Sequence, residues 1–245
     1  MRFSRGAYCL LNELKSRLFD HLGNKEKETA ESKEKEFLEK YDLHKLKNNS
    51  TRRNYLENLY IIELLEDNLS LESSKREISI LDIGSKNWFY APGEYSFFKY
   101  NNLNVKLTGI EIDAFRLYSN FHSRYDYAGY YKRDLENTNY IIGDLQDHEG
   151  KYDYITWFLP FITKKPLLNW GLPLKYFKPE EMLNKAYNLL KPGGELLIVN
   201  QEENEDLIQE ELLKDLDIPY RKKGFFDSCF LKYNCKRYIT VVNKH

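Results

Sequence analysis

A chain of 245 residues with 42% hydrophobic content can bury one full α/β core, or a core with a small appendage. Its 37 basic and 38 acidic side chains leave a formal net charge of −1, which excludes a global field that gathers nucleic acid and leaves only a local basic patch for such a partner. Its three cysteines, Cys9, Cys229 and Cys235, lack CxxC spacing and fit reduced thiols in a cytoplasm rather than a disulfide or zinc framework.

In chain order, Leu11, Leu14, Leu18 and Leu22 recur at helical spacing and predict an amphipathic helix over residues 8–22. The apolar stretch 7–11 is short and interrupted by Asn12, Glu13 and Lys15, which does not match a secretory signal. No stretch reaches the roughly 18 apolar residues of a membrane span, so a cytoplasmic protein without a membrane partner is expected. Residues 24–40, nearly all charged with both signs mixed, suit an exposed helix or a linker. A further helix is predicted from a cap at Ser50 or Thr51 to about Asp67. Residues 1–75 therefore read as an N-terminal helical extension that covers a cleft or mediates self-association, and residues 76–245 as the main domain.

From Glu77 the pattern becomes short apolar runs alternating with helices, the grammar of βαβ units. The predicted strands are 78–83, 105–112, 140–143, 152–158 and 195–200, with helices over 115–132, 179–190 and 206–216. Lys191-Pro192-Gly193-Gly194 stops the second of these helices and feeds the fifth strand. Two last runs, 225–231 and 237–242, leave no room for a crossover helix and predict an antiparallel hairpin.

In a doubly wound sheet, ligands bind outside the carboxyl ends of the strands. Three successive runs end in an acid beside a glycine: Asp82-Ile83-Gly84, then Gly109-Ile110-Glu111-Ile112-Asp113, then Gly143-Asp144-Leu145. For a nucleoside ligand, Glu111 can accept from both ribose hydroxyls and Asp144 from an adenine amine, with Ile112 and Leu145 clamping the base.

The ordered set ILDIG, LTGIEID, YIIGDLQD, KYDYITWFLPF and LLKPGGELLIVN resembles the motifs of the class I S-adenosylmethionine-dependent methyltransferases, over roughly residues 78–243. Each motif alone is weak; five in order are specific. The resemblance implies a seven-stranded Rossmann-like sheet whose last strand is antiparallel, with S-adenosylmethionine as cofactor. Carried over by position, Gly84, Ser85 and Lys86 would meet the methionine moiety, Asp82 would orient its amino group, Glu111 would hold the ribose, and Asp144 with Leu145 the adenine. In-line methyl transfer needs chiefly alignment, so no catalytic residue is assigned.

Two departures bear on that reading. The family's first loop has glycines two and four after Gly84, where this chain has Lys86 and Trp88, and Gly84 lies 27 positions before Glu111, a stretched spacing that residues 90–93 would absorb. Lys86 reads either as a surface lysine or as a cation facing the cofactor carboxylate. In the fourth motif Phe158 stands where family members that methylate planar amide nitrogens carry Asn, which argues against that chemistry and makes the pocket wall aromatic. His122 reads as helix packing, and the other histidines show no metal-ligand spacing. Glu202 and Glu203 read as helix-start acids, and Trp170 to Pro173 as loop packing or a substrate contact. The substrate is left open, a small molecule being compatible. A non-catalytic scaffold of the same fold is the alternative. A lesser one is a transfer-RNA guanine methyltransferase, because Lys164-Lys165 follows Phe161, although the net charge and a missing acid speak against it. GxGxxG is absent after the first strand, which argues against a nicotinamide dehydrogenase.

Overall fold

The computed structural model describes residues 17–71, 77–100 and 104–244. Three helices precede the sheet: α1 (Asn24–Lys40), α2 (His44–Asn49) and α3 (Arg52–Asn68). The seven strands are β1 (Glu77–Ile83), β2 (Asn104–Glu111), β3 (Thr138–Ile142), β4 (Tyr152–Phe158), β5 (Leu190–Gln201), β6 (Tyr220–Phe226) and β7 (Arg237–Asn243). Between them run α4 (Ala91–Lys99), α5 (Arg124–Lys132), α6 (Lys164–Asn169), α7 (Pro179–Leu189) and α8 (Glu202–Asp215). The sheet order is β3-β2-β1-β4-β5-β7-β6, with β7 antiparallel to both its neighbours and β1 to β5 mutually parallel. The expected doubly wound sheet closed by an antiparallel last strand is what the chain forms.

Side-chain alternation along each strand feeds two cores. Ile78, Ile80, Leu107, Tyr154, Leu197 and Val199 face the N-terminal helices and α4, whereas Leu81, Ile83, Ile110, Ile155, Trp157 and Ile198 face α7 and α8. Because β1 has period two, Asp82 shares the face of Ile80. That parity decides its role below.

Thr51 caps α3 by accepting from Asn54 N–H at 3.2 Å, as its sequence signal suggests. The charged stretch 24–40 is helix throughout and buries Ala30, Glu34 and Phe37, so it is packed rather than a linker. Of the predicted helix over 8–22, residues 17–22 form turns and the rest lies outside the described residues. The predicted helix over 115–132 is shortened to α5. Residues 113–123 instead make a turn closed by a bridge between Leu117 and Ser123, leaving Phe115, Phe121 and His122 exposed. The first strand of the hairpin is Tyr220–Phe226 rather than 225–231, and residues 227–231 lie in the connection to β7, because this edge strand is mostly exposed and its apolar residues do not mark its ends.

Helix α3 reaches the loop after β1 directly. Asn54 Nδ2 and Asn58 Nδ2 donate to Phe89 O at 2.8 and 3.1 Å, and Asn58 Oδ1 accepts from Gly93 N–H at 2.7 Å. The residues before the sheet thus hold one wall of whatever lies above β1.

Candidate functional site

The carboxyl ends of β1 to β5 and one face of α3 surround a cavity of about 490 Å³. Gly84, Lys86, Glu111, Ile112, Asp144, Leu145 and Phe158 line it. Asp82 and Ser85, also predicted site residues, do not: both are fully buried.

Asp82 is 0% exposed and turned under the sheet. Its Oδ2 accepts from Tyr90 Oη at 2.8 Å, and Thr156 Oγ1 lies 3.2 Å from its Oδ1 and 2.7 Å from Glu94 Oε1. Thr156 has a single hydroxyl proton, so the second of those contacts needs a proton on a carboxyl group. Burial, and then the negative charge of Glu94, push the Asp82 carboxyl well above the usual range, and burial lifts Glu94 to about 7. Asp82 therefore holds the loop through Tyr90 instead of facing a ligand's amino group.

The loop after β1 answers the departure at positions 86 and 88. Gly84, Lys86 and Trp88 all have positive φ, 70°, 55° and 50°, the left-handed region that glycine favours. A side chain there costs about 1–2 kcal/mol per residue. Two hydrogen bonds offset the cost at Lys86: its N–H donates to Glu111 Oε2 at 2.8 Å, and its carbonyl accepts from Tyr140 Oη. Trp88 is 0% exposed and points down against Tyr140 at 5.8 Å between ring centroids, away from the cavity.

Trp88 also explains Gly109 in LTGIEID. A Cβ at Gly109 would meet Ser85 Oγ at 2.8 Å and two indole carbons of Trp88 at 2.9 Å. Gly109→Ala is expected to cost about 1–3 kcal/mol by overpacking. Denaturant midpoints should show part of that cost vanishing when Trp88 is also replaced by Leu, the Ser85 contact remaining.

Glu111 ends β2 and is saturated on three sides. Besides Lys86 N–H, its Oε1 accepts from Asp113 N–H at 2.8 Å and from Arg124 Nη1 at 3.3 Å. Arg124 is itself buried, lies 3.4 Å from Asp113 Oδ2, and its guanidinium sits 4.6 Å from the Trp170 ring. Lys86 Nζ packs over the same ring at 4.8 Å, and burial followed by the nearby Arg124 charge lowers its pKa. Trp170, at the end of α6 and anchored through its carbonyl to Arg116, thus closes one side of the cavity.

At the end of β3, Asp144 accepts from Gln146 N–H at 3.0 Å and caps a single 3₁₀ turn that seats the buried Leu145. Phe158 packs edge-on to Tyr90 at 5.3 Å. Sequence reading missed the opposite end of the cavity, formed by Tyr60, Tyr233, Glu205 and Arg237. Glu205, three residues into α8, accepts from Gln201 N–H at 3.1 Å, and burial raises its pKa. Capping-box spacing does not mark it, since it lies four rather than three residues after the N-cap Gln201. Among the described residues no group of three or more His, Cys, Asp or Glu is placed to hold a metal ion, and no helix is long and apolar enough to cross a membrane.

No family model matches the chain, and no curated protein matches it. Solved structures do. TrmN from Thermus thermophilus superposes at a TM-score of 0.52 with 15% identity over 77% of this chain and 49% of its own length, so the chain spans about half of that protein. A methyltransferase from Pyrococcus furiosus gives a TM-score of 0.51 with 20% identity over 78% of this chain and 83% of its own. Magnesium protoporphyrin IX methyltransferase from Synechocystis PCC 6803, solved with bound S-adenosylmethionine, gives 0.50 with 12% identity over 78% and 80%. Together with the strand order, these likenesses establish that the chain has the fold of the class I S-adenosylmethionine-dependent methyltransferases.

Proposed function

We propose that the chain is an S-adenosylmethionine-dependent methyltransferase whose cofactor occupies the β1–β3 end of the cavity. The convergence of Gly84, Glu111 and Asp144 on one cavity carries this reading. The residues fit the group with one adjustment. Asp144 and Leu145 would receive the adenine, with Ile112 on its other face. Glu111 would take a ribose hydroxyl; a carboxylate has about four lone-pair sites and protein donors occupy three, so one hydroxyl rather than two is its capacity. Gly84 leaves open space, since no atom lies within 4 Å of where its Cβ would be. Lys86 lines that end and is the cation offered to a methionine carboxylate. Asp82 takes no part.

The sulfonium cofactor supplies an activated methyl group when bound. The chain's own contribution is to align an acceptor with it and exclude water, behind Trp170 and the aromatic wall of Phe89, Tyr90 and Phe158. A second reading, a catalytically silent module, draws on the saturation of Glu111 by three protein donors.

Calorimetric titration with S-adenosylmethionine and S-adenosylhomocysteine tests the proposal. Binding is expected in the wild type. In Gly84→Ala, affinity should fall at least about tenfold while stability falls by only about 1–2 kcal/mol, the strain of a side chain at positive φ. Absence of heat or thermal shift at millimolar ligand overturns the methyltransferase reading and leaves the silent module.

A further inference from the structure

The far end of the cavity is built for an anion beside an aromatic ring. Tyr60 on α3 is 6% exposed and lines the cavity, yet its Oη has no hydrogen-bond partner among the described residues. An unsatisfied buried hydroxyl costs about 1–3 kcal/mol and calls for a ligand or water to complete it. Its ring meets Tyr233 edge-on at 5.1 Å, and the Arg237 guanidinium stacks over Tyr233 at 4.8 Å. Arg237 opens β7, paired with Gln201 at the end of β5, so the antiparallel last strand delivers this cation to the carboxyl edge of the sheet.

Arg237 is under-used. Its Nη1 donates to Cys235 O and Lys236 O, and among the described residues Nε and Nη2 donate to nothing and no carboxylate oxygen comes within 4.0 Å of the guanidinium. The neighbouring cation of the cavity, Arg53, is by contrast neutralised by Glu57 at 2.8 Å. Glu205 also lines this end, close enough to feel the Arg237 charge, but burial raises its pKa and its one hydrogen bond is accepted from Gln201 N–H rather than from Arg237. A planar guanidinium with two free donors matches a carboxylate in fork geometry. The walls between it and the β1 loop are the rings of Phe89, Tyr90 and Phe158.

We propose that the acceptor end selects small aromatic carboxylic acids, the carboxylate held by Arg237 and the Tyr60 hydroxyl and the ring by the aromatic wall. The proposal rests on the methyltransferase reading for its purpose, but not for its binding chemistry. The cavity of about 490 Å³ has to hold cofactor and acceptor together, which limits the acceptor to one or two rings.

The test measures binding of benzoate, 4-hydroxybenzoate and indole-3-carboxylate, each against its uncharged primary amide, with and without S-adenosylhomocysteine. At least one acid is expected to bind about tenfold or more tightly than its amide. Arg237→Gln should erase the difference, Arg237→Lys should restore part of it, and Tyr60→Phe should weaken the acid several-fold and the amide less. Affinity for S-adenosylhomocysteine should be the same in all these variants. Equal binding of acids and amides by the wild type overturns the proposal, as does an acid preference that survives Arg237→Gln. The wild-type comparison decides the matter even where a variant fails to fold. Acid selectivity without S-adenosylhomocysteine binding supports this anion site and sinks the methyltransferase reading; the converse pattern does the reverse.

Discussion

Glu111→Ala is expected to destabilise the chain by about 3 kcal/mol, because it leaves the buried Arg124 guanidinium with only Asp113 as counter-charge. The same change removes the acceptor of Lys86 N–H, one of two hydrogen bonds that hold a lysine at φ 55°. Glu111→Gln recovers only part of the loss. Both carboxylate oxygens accept from fixed donors, so an amide nitrogen must face Lys86 N–H on one side or Asp113 N–H and Arg124 on the other. Adding Arg124→Met to Glu111→Ala should return stability by removing the stranded charge. Urea midpoints of the four proteins measure this. A cost below about 1 kcal/mol for Glu111→Ala would show that the carboxylate is not structural. In that case its only role would be toward ligand, and the three protein donors on it would carry no weight for the silent reading.

The five parallel strands were readable because each is an apolar run whose partners lie on both faces of a parallel sheet, whereas the exposed edge strand β6 carries no such run and was misplaced. The strand-end set Gly84, Glu111 and Asp144 was readable for the same reason: position at a strand's carboxyl end is itself the signal. Asp82 shows where that reasoning stops. It stands one residue before the strand end, and counting parity from Ile80 places it under the sheet. The stretch 115–123 was misread because aromatic spacings of three and four also arise in a compact turn. The start of α5 was encoded instead by Ser123 and Asp126, whose capping box is present in the structure. Lys86 and Trp88 looked like obstructions because a sequence shows side chains and not φ; the backbone there keeps the glycine-type conformation and sends the indole downward. Tyr60 and Arg237 had no local signature at all. They come from opposite ends of the chain, and only the antiparallel insertion of β7 beside β5 brings them to one wall.

Glu94→Gln is expected to raise stability at pH 8 and to flatten its pH dependence. Glu94 titrates at about 7 in the folded chain against an ordinary value of 4.5, so between those values the native state holds a proton that the unfolded chain has lost. Stability is then greatest below pH 4.5 as far as this group is concerned, and is lost as pH rises through 7. A shift of this size corresponds to something on the order of 3 kcal/mol. Glutamine keeps the Oε1 that accepts from Thr156, while removing the charge that, after burial, pushes Asp82 upward. Denaturant midpoints at pH 5 and pH 8 should therefore differ less for the variant than for the wild type, the remaining difference coming from the buried Asp82. A variant no more stable than the wild type at pH 8, with the same slope, would mean that the pair shares no proton. The pair reaches the site, because Tyr90 donates to Asp82 with its hydroxyl and packs on Phe158 with its ring, so the buried carboxyls hold the aromatic wall of the cavity from beneath, and the Tyr90 hydrogen bond strengthens where Asp82 ionises.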